Sequence, residues 1–347
     1  MDILTLLLAC LVIACFYFSI KFFCKNKDED EMCEVKIIKK IETPKEEENN
    51  SAVFRPSTFD EFIGQKKAKS ILNSYIKAIA ERGRVFPHTL VHGFAGCGKS
   101  TLVNIISKLL NKKTVEVITS PITSAEMLID KIREADGGVL FLDEIHACPR
   151  DMVETIYMVM EDFKYNGEPI PPFTLIGATT ELGEMIADRK PFVDRFKLLI
   201  ELEKYNDEDL SLIAKQYQKK SFPNDKLSKE IFTTVGLNSR GTPRTAIRLT
   251  EASIYLNGDI DTVLNNFNII KNGFTFKDLD ILKYLSQNEK GVGLNGLVSY
   301  LGTSKLNYEQ AIEPFLLQKK LLQRTPRGRK ITEYGITAIK ELELSAA

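Results

Sequence analysis

The sequence predicts a parallel α/β domain followed by a mostly helical unit and a short helix-rich unit ending in a basic turn, with an apolar segment ahead of all three. Three observations carry that expectation. Between Val53 and about Leu202, short apolar runs (Thr89–His92, Gly138–Leu142, Phe173–Ala178) alternate with helical periodicity, as in a parallel sheet covered by helices. A glycine-rich stretch, Gly93 to Ser100, joins the first of those runs to the helical Leu102–Leu110. From Asn206 to about Asn272 the pattern is helical, and the remainder closes on Gln323–Lys330, rich in Arg, Pro and Gly.

The chain has 347 residues, enough for two or three domains at about 100–200 residues each. Its 44% hydrophobic and 27% charged residues exclude a disordered or fibrous protein. Lys+Arg and Asp+Glu both total 47, so no overall field recruits nucleic acid, and any such contact must come from a local basic patch. Cys10, Cys15, Cys24, Cys33, Cys97 and Cys148 fit neither a disulfide framework nor a paired zinc site, and reduced thiols are expected.

From Ile3 to Ile20 no residue is charged, and 18 residues at about 1.5 Å each span roughly 27 Å, close to a bilayer core. Asp2 before the run and Phe22-Phe23-Cys24 after Lys21 do not resemble a cleaved signal peptide. Residues 1–24 are therefore expected to be a retained transmembrane anchor. Lys21, Lys25 and Lys27 place the body on the cytoplasmic side, giving a single-pass, membrane-anchored protein. Residues 25–52, rich in Lys, Glu and Asn, read as a charged flexible linker.

Gly93-Phe-Ala-Gly-Cys-Gly-Lys-Ser100 matches the phosphate-loop pattern, and Thr101 follows. Gly93, Gly96 and Gly98 free the backbone to wrap phosphate oxygens at a helix N-terminus. Lys99 would reach the outer phosphates of a nucleotide and the Ser100 hydroxyl would ligate Mg²⁺. Val139-Leu-Phe-Leu-Asp143-Glu144 ends an apolar strand in two carboxylates, with Asp143 expected at Mg²⁺ and Glu144 at the attacking water. His146 has no partner cluster in the sequence and is read as structural. The strand Phe173–Ala178 runs into Thr179 and Thr180, hydroxyls able to poise water or sense a γ-phosphate.

At this point the residues resemble a known family. Arg55-Pro56 with Phe62-Ile-Gly-Gln65, the phosphate loop, Leu142–His146, Met160–Asp162, Phe173–Thr180, Arg240-Gly-Thr-Pro-Arg244 and Gln323–Arg329 look like the RuvB family, the AAA+ ATPase motors of bacterial Holliday-junction branch migration. The resemblance implies an AAA+ large ATPase domain (53–203), a small helical lid (204–272) and a C-terminal winged-helix domain (273–347). It implies a homohexameric ring with ATP between subunits, acting on duplex or four-way junction DNA. Carried over by position, Gly96, Lys99, Ser100 and Thr101 hold phosphates and Mg²⁺, and Phe54 and Arg55 lie at the adenine end. Glu161, Asp162 and Phe163 match a nucleotide-contacting stretch, and Tyr205 a tyrosine opening the lid. Thr179 is the first sensor, with Thr180 the alternative. Arg244 is the lid arginine, and Arg195 the finger offered to a neighbouring subunit. In the wing, Arg324, Arg327 and Arg329 would face DNA phosphates, the positions of Arg324 and Arg329 being the family's contacts.

The chain departs from the family in two places. Only Lys164–Ile170 stand where the family carries a longer apolar hairpin that docks on RuvA, so docking by that route is not expected. Val193 replaces an arginine the family usually has near the finger. These departures and the anchor leave two rival readings: a membrane-tethered AAA+ remodeler of a protein substrate, and a nucleotide-gated DNA tether.

Overall fold

The computed structural model describes residues 54–118, 124–288 and 290–346. Helix α1 (Lys66–Arg82) leads into β1 (Thr89–Gly93), α2 (Lys99–Leu109), β2 (Thr114–Ile118), α3 (Ala125–Ala135), β3 (Val139–Asp143) and α4 (Arg150–Asp162). A two-residue Asn166-Gly167 turn, both residues at positive φ, closes the hairpin of β4 (Lys164–Tyr165) and β5 (Glu168–Pro169). Then come β6 (Thr174–Thr179), α5 (Leu182–Val193) and β7 (Leu198–Leu202). Five strands pair in the order β2-β3-β6-β1-β7, all parallel.

Strand alternation sends neighbouring residues to two different cores. Val91, Val139, Phe141, Ile176 and Ala178 face α1 and α2, whereas Leu90, Leu140, Leu142 and Leu175 face α3, α4 and α5. Gly177 sits where a Cβ would come within 2.8 Å of Ile145 Cδ1, so the segment after β3 lies directly on β6. The edge strand β7 buries Leu198, Ile200 and Leu202 and exposes Leu199 and Glu201. Pairing of His92 with Thr179 and of Leu142 with Gly177 brings the carboxyl ends of β1, β3 and β6 to one level. In a parallel sheet that edge is where ligands bind.

Helices α6 (Asp207–Ser221), α7 (Lys229–Asn238), α8 (Pro243–Tyr255) and α9 (Ile260–Asn266) follow. The Asn206 side chain caps α6 by accepting from the Asp209 amide at 2.7 Å, beside three acidic residues in the first turn, and Pro243 opens α8 where no N–H is needed. Leu210, Ala214, Phe232, Val235, Ala246 and Leu249 join the core of the first sheet face, so the helical unit closes over the sheet instead of forming a core of its own.

The last unit comprises β8 (Ile269–Lys271), β9 (Phe274–Thr275), α10 (Phe276–Ser286), α11 (Leu294–Leu301), α12 (Lys305–Asn307), a π-turn at Tyr308–Ile312, α13 (Glu313–Gln318), the wing strands β10 (Leu322–Thr325) and β11 (Gly328–Ile331), and α14 (Glu333–Ala346). It has a separate core running from Leu279 to Leu342, the arrangement of a winged helix. Pro314 explains the π-turn: its ring crowds the carbonyl four residues back, at Gln310, and widens the preceding turn. Arg240 ties this unit to the helical one through a 2.8 Å ion pair with the buried Asp278, which also closes the capping box of α10. Lys204 donates to Gln318 at 2.7 Å.

The expectation of a membrane-anchored, single-pass protein is corrected. No helix among the described residues is long and apolar enough to cross a membrane. The apolar run assigned to an anchor, residues 1–24, and the linker, 25–52, lie outside the described residues.

Candidate functional site

A cleft of about 430 Å³ opens at the carboxyl edge of the sheet, between the glycine-rich loop, β3 and the start of α8. Gly96 and Gly98 adopt φ of 76° and 100° and are closed in from outside: a Cβ on Gly96 would meet Arg244 Cβ at 3.0 Å, and one on Gly98 the Phe62 ring at 3.1 Å. The loop is thus shaped by the helical unit as well as by its own residues. Lys99 is only 7% exposed, and its Nζ donates to the carbonyls of Gly93 at 3.0 Å and Phe94 at 3.3 Å. Gly93 does not line the cleft; it ends β1 against Leu202, where a Cβ would lie 2.5 Å from a backbone oxygen. Phe54, Arg55, Ser100, Thr101, Asp143, Glu144 and Arg244 do line it.

The donor set fits a nucleotide with a hard divalent cation. Ser100 Oγ lies 3.4 Å from Asp143 Oδ2, a hydroxyl and a carboxylate together, as Mg²⁺ prefers. Asp143 Oδ1 accepts from the Glu144 amide at 3.1 Å. Glu144 has left-handed backbone (φ 50°, ψ 49°), an unfavourable conformation for a non-glycine residue and one that clusters at functional sites. The Thr180 hydroxyl reaches Glu144 Oε2 at 3.4 Å. Thr179, fully buried, accepts instead from the Glu181 amide at 2.9 Å, so of the two hydroxyls it is Thr180 that faces the carboxylate.

His146 differs from its structural reading. Its Nδ1 lies 3.1 Å from Thr179 Oγ1 and 3.3 Å from Glu144 Oε2, and its Nε2 lies 3.6 Å from Glu181 Oε2. The sequence signal was its position two residues beyond Glu144, which a 3₁₀ turn over Ile145–Ala147 folds back onto the strand end.

Other expected residues lie elsewhere. Arg195 is not at this cleft: its Nε lies 3.0 Å from Glu161 Oε1 and its guanidinium covers the Tyr157 ring at 4.3 Å. Glu161 and Asp162 are exposed at the end of α4, and Phe163 turns inward, edge-on to Phe173. Tyr205 is buried beneath the loop, where a Cβ on Gly64 would come within 2.9 Å of its ring; burial raises its hydroxyl well above the ordinary range. In the wing, Glu313 is fully buried and accepts from Arg324 Nη2 at 2.7 Å and Arg329 Nε at 2.7 Å. Burial alone would raise that carboxyl, but the hydrogen bonds and charges of Arg329 and Arg324 outweigh it and hold it below the usual range. Arg329 also lies 3.3 Å from Glu309 and is 12% exposed, so in this structure its guanidinium is held by carboxylates of its own unit. Arg324 is 58% exposed, and Arg327 stands at the tip with no ion pair among the described residues.

A phosphate loop on a parallel sheet, a strand-end carboxylate pair, a helical cover and a winged helix define a P-loop AAA+ ATPase of the kind that carries a nucleic-acid-binding module. The family comparisons make this specific. Residues 54–202 match the Holliday junction DNA helicase RuvB P-loop domain, and residues 271–340 the RuvB C-terminal winged helix domain. The Holliday junction branch migration complex subunit RuvB of Ehrlichia ruminantium is 34% identical over 320 residues, 85% of this chain and 95% of its own. That of Orientia tsutsugamushi is 36% identical over 312 residues, 82% and 94%. The solved RuvB Holliday junction branch migration motor of Thermotoga maritima superposes with a TM-score of 0.73 at 33% identity, covering 82% of this chain and 98% of its own. The chain belongs to the RuvB family.

Proposed function

We propose that this chain is an ATP-hydrolysing motor that drives branch migration of Holliday-junction DNA. The observation that carries the reading is the assembled cleft, in which Lys99, the Ser100–Asp143 pair, Glu144 and Arg244 converge on a Cβ-free cradle. Loop amides and Lys99 bind the β- and γ-phosphates, Thr101 lies beside them, and Phe54 and Arg55 hold the adenine end. Ser100 and Asp143 would hold Mg²⁺, which would supply positive charge beside the phosphate oxygens. Glu144 accepts a proton from the attacking water, with Thr180 and Thr179 setting its surroundings, and Arg244 orients the γ-phosphate from the helical cover.

Arg195, outside its own cleft and beside Glu161, is offered to the nucleotide of a neighbouring protomer. Glu161 and Asp162 belong to the same face, with Phe163 anchoring that nucleotide-contacting stretch against Phe173, and Tyr205 supports the loop from below. Hydrolysis then depends on assembly into a ring, a homohexamer. Arg324 and Arg327 meet duplex phosphates, which suits a motor that moves over any sequence. The short hairpin at 164–169 is fastened to its own body by Tyr165–Glu126 and Arg133–Glu168 contacts, which argues against docking on RuvA through it.

The test is ATP turnover by the purified protein with and without linear duplex or four-way junction DNA. DNA should raise turnover, and Lys99→Ala and Arg195→Ala should each lower it by about a thousandfold or more. Turnover indifferent to both DNAs would sink the motor reading; Arg195→Ala turning over at the unmodified rate would sink the shared site.

A further inference from the structure

The winged-helix unit reaches the strand-end carboxylate through polar contacts that the reaction above does not use. Gln310, in the π-turn, donates from Nε2 to Glu181 Oε1 at 2.7 Å. The other oxygen of that carboxylate, Oε2, faces His146 Nε2 at 3.6 Å, and Nδ1 of the same imidazole meets Glu144 Oε2 at 3.3 Å. The Glu181 amide and His146 Nδ1 share Thr179 Oγ1, which pins both to the end of β6. On its far side, Gln310 is flanked in sequence by Glu309 and lies three residues before Glu313, the two carboxylates that hold the wing arginines.

We propose that His146 and Glu181 are positioning residues for Glu144, and that the π-turn Tyr308–Ile312 sets them according to whether Arg324 holds Glu313 or a DNA phosphate. The proposal rests on the reading of Glu144 as the water-activating carboxylate and of the wing as the duplex contact. A general base must turn a lone pair toward its water. The imidazole fixes where Glu144 Oε2 points, and Glu181 fixes the imidazole. Arg324 is exposed enough to turn from Glu313 to phosphate while Arg329 stays behind. A fully buried carboxylate that loses one of two cations does not stay in place at no cost. The helix start at Glu313 therefore shifts, and Gln310, one turn ahead in the widened turn, shifts with it. The coupling acts on kcat and not on a binding affinity, so it requires no matching change in duplex affinity.

The test uses Gln310→Ala and Gln310→Glu in the full chain; the residue is exposed, so neither variant threatens folding. Basal turnover, the KM for ATP and nucleotide-free duplex affinity should match the unmodified protein. The kcat at saturating duplex should fall by about fivefold or more, the low end of coupling between distant sites. Gln310→Glu, which sets a second carboxylate against Glu181, should fall at least as far. His146→Asn, whose Nδ2 replaces Nδ1, should keep more basal kcat than His146→Ala and show no stimulation. Stimulated kcat within twofold of the unmodified protein in both Gln310 variants overturns the relay. So does weakened duplex affinity with stimulated kcat intact, because Gln310 would then only brace the wing. If the unmodified protein itself shows no stimulation, the functional reading fails and takes the relay with it, an outcome distinct from loss in the variants alone.

Discussion

The nucleotide cleft and the wing both present arginines at positions the family pattern marks, yet they hold them differently. In the cleft, Arg55 and Arg244 line open space, and neither makes an ion pair among the described residues. In the wing, Arg324 and Arg329 share the buried Glu313, and Arg329 also meets Glu309. A motif identifies the cation in both places. Whether its charge is available depends on a carboxylate elsewhere, which the motif does not contain.

The largest effect expected from that contrast is on stability. Glu313→Ala leaves Arg329, 12% exposed, without its main partner, and breaking a buried pair costs about 3–5 kcal/mol. Urea or thermal unfolding followed by a probe in the winged helix should register it, whereas Arg244→Ala should lower turnover and leave the midpoint unchanged. A Glu313→Ala protein as stable as the unmodified one would mean that the wing arginines are as open as those in the cleft.

A second, smaller effect separates the three wing arginines. Arg327→Ala and Arg324→Ala should each weaken duplex binding across all sequences and reduce the salt slope by about 1. Arg329→Ala should lower the unfolding midpoint and change the slope least. If Arg329→Ala takes as much from the slope as Arg327→Ala while the protein remains equally stable, Arg329 is a phosphate contact and not a strut.

What could be read from the sequence follows the range of the interactions. The glycine-rich loop, Asp143-Glu144 and the apolar strands are local patterns, and the structure places each of them at the carboxyl edge of one sheet. Motif membership does not distinguish a loop residue that lines the cleft from one packed on Leu202 behind it, as Gly93 is. The contacts of His146 are hidden from the sequence, because its partners Thr179 and Glu181 are more than thirty residues away and meet it only when β3 and β6 pair. The joining of the helical unit to the first sheet face was equally hidden, since helical periodicity reports that a stripe is buried and not against what.

The smallest effect concerns acid, and it divides the molecule again into sheet and wing. In the ATPase body, His88 accepts from the Leu175 amide at Nδ1, 2.8 Å, while Nε2 faces the Met160 carbonyl at 3.3 Å. Only the neutral ring can do both. Burial, with a small contribution from Lys197, lowers its pKa from 6.5 to about 4. The unfolded chain therefore takes up this proton first, and the stability His88 contributes, complete above pH 6.5, drains away as pH falls toward 4. Glu313 in the wing is also depressed, but from the ordinary 4.5, so its contribution is complete above that value and is lost only below it. Unfolding midpoints between pH 7 and 5, read by a probe in the sheet, should decline less steeply in His88→Gln than in the unmodified protein, and a winged-helix probe should show no contribution from Glu313 in that range. Equal slopes for the two proteins would show that the His88 ring is charged in the fold, which the Leu175 amide pointing at Nδ1 does not permit.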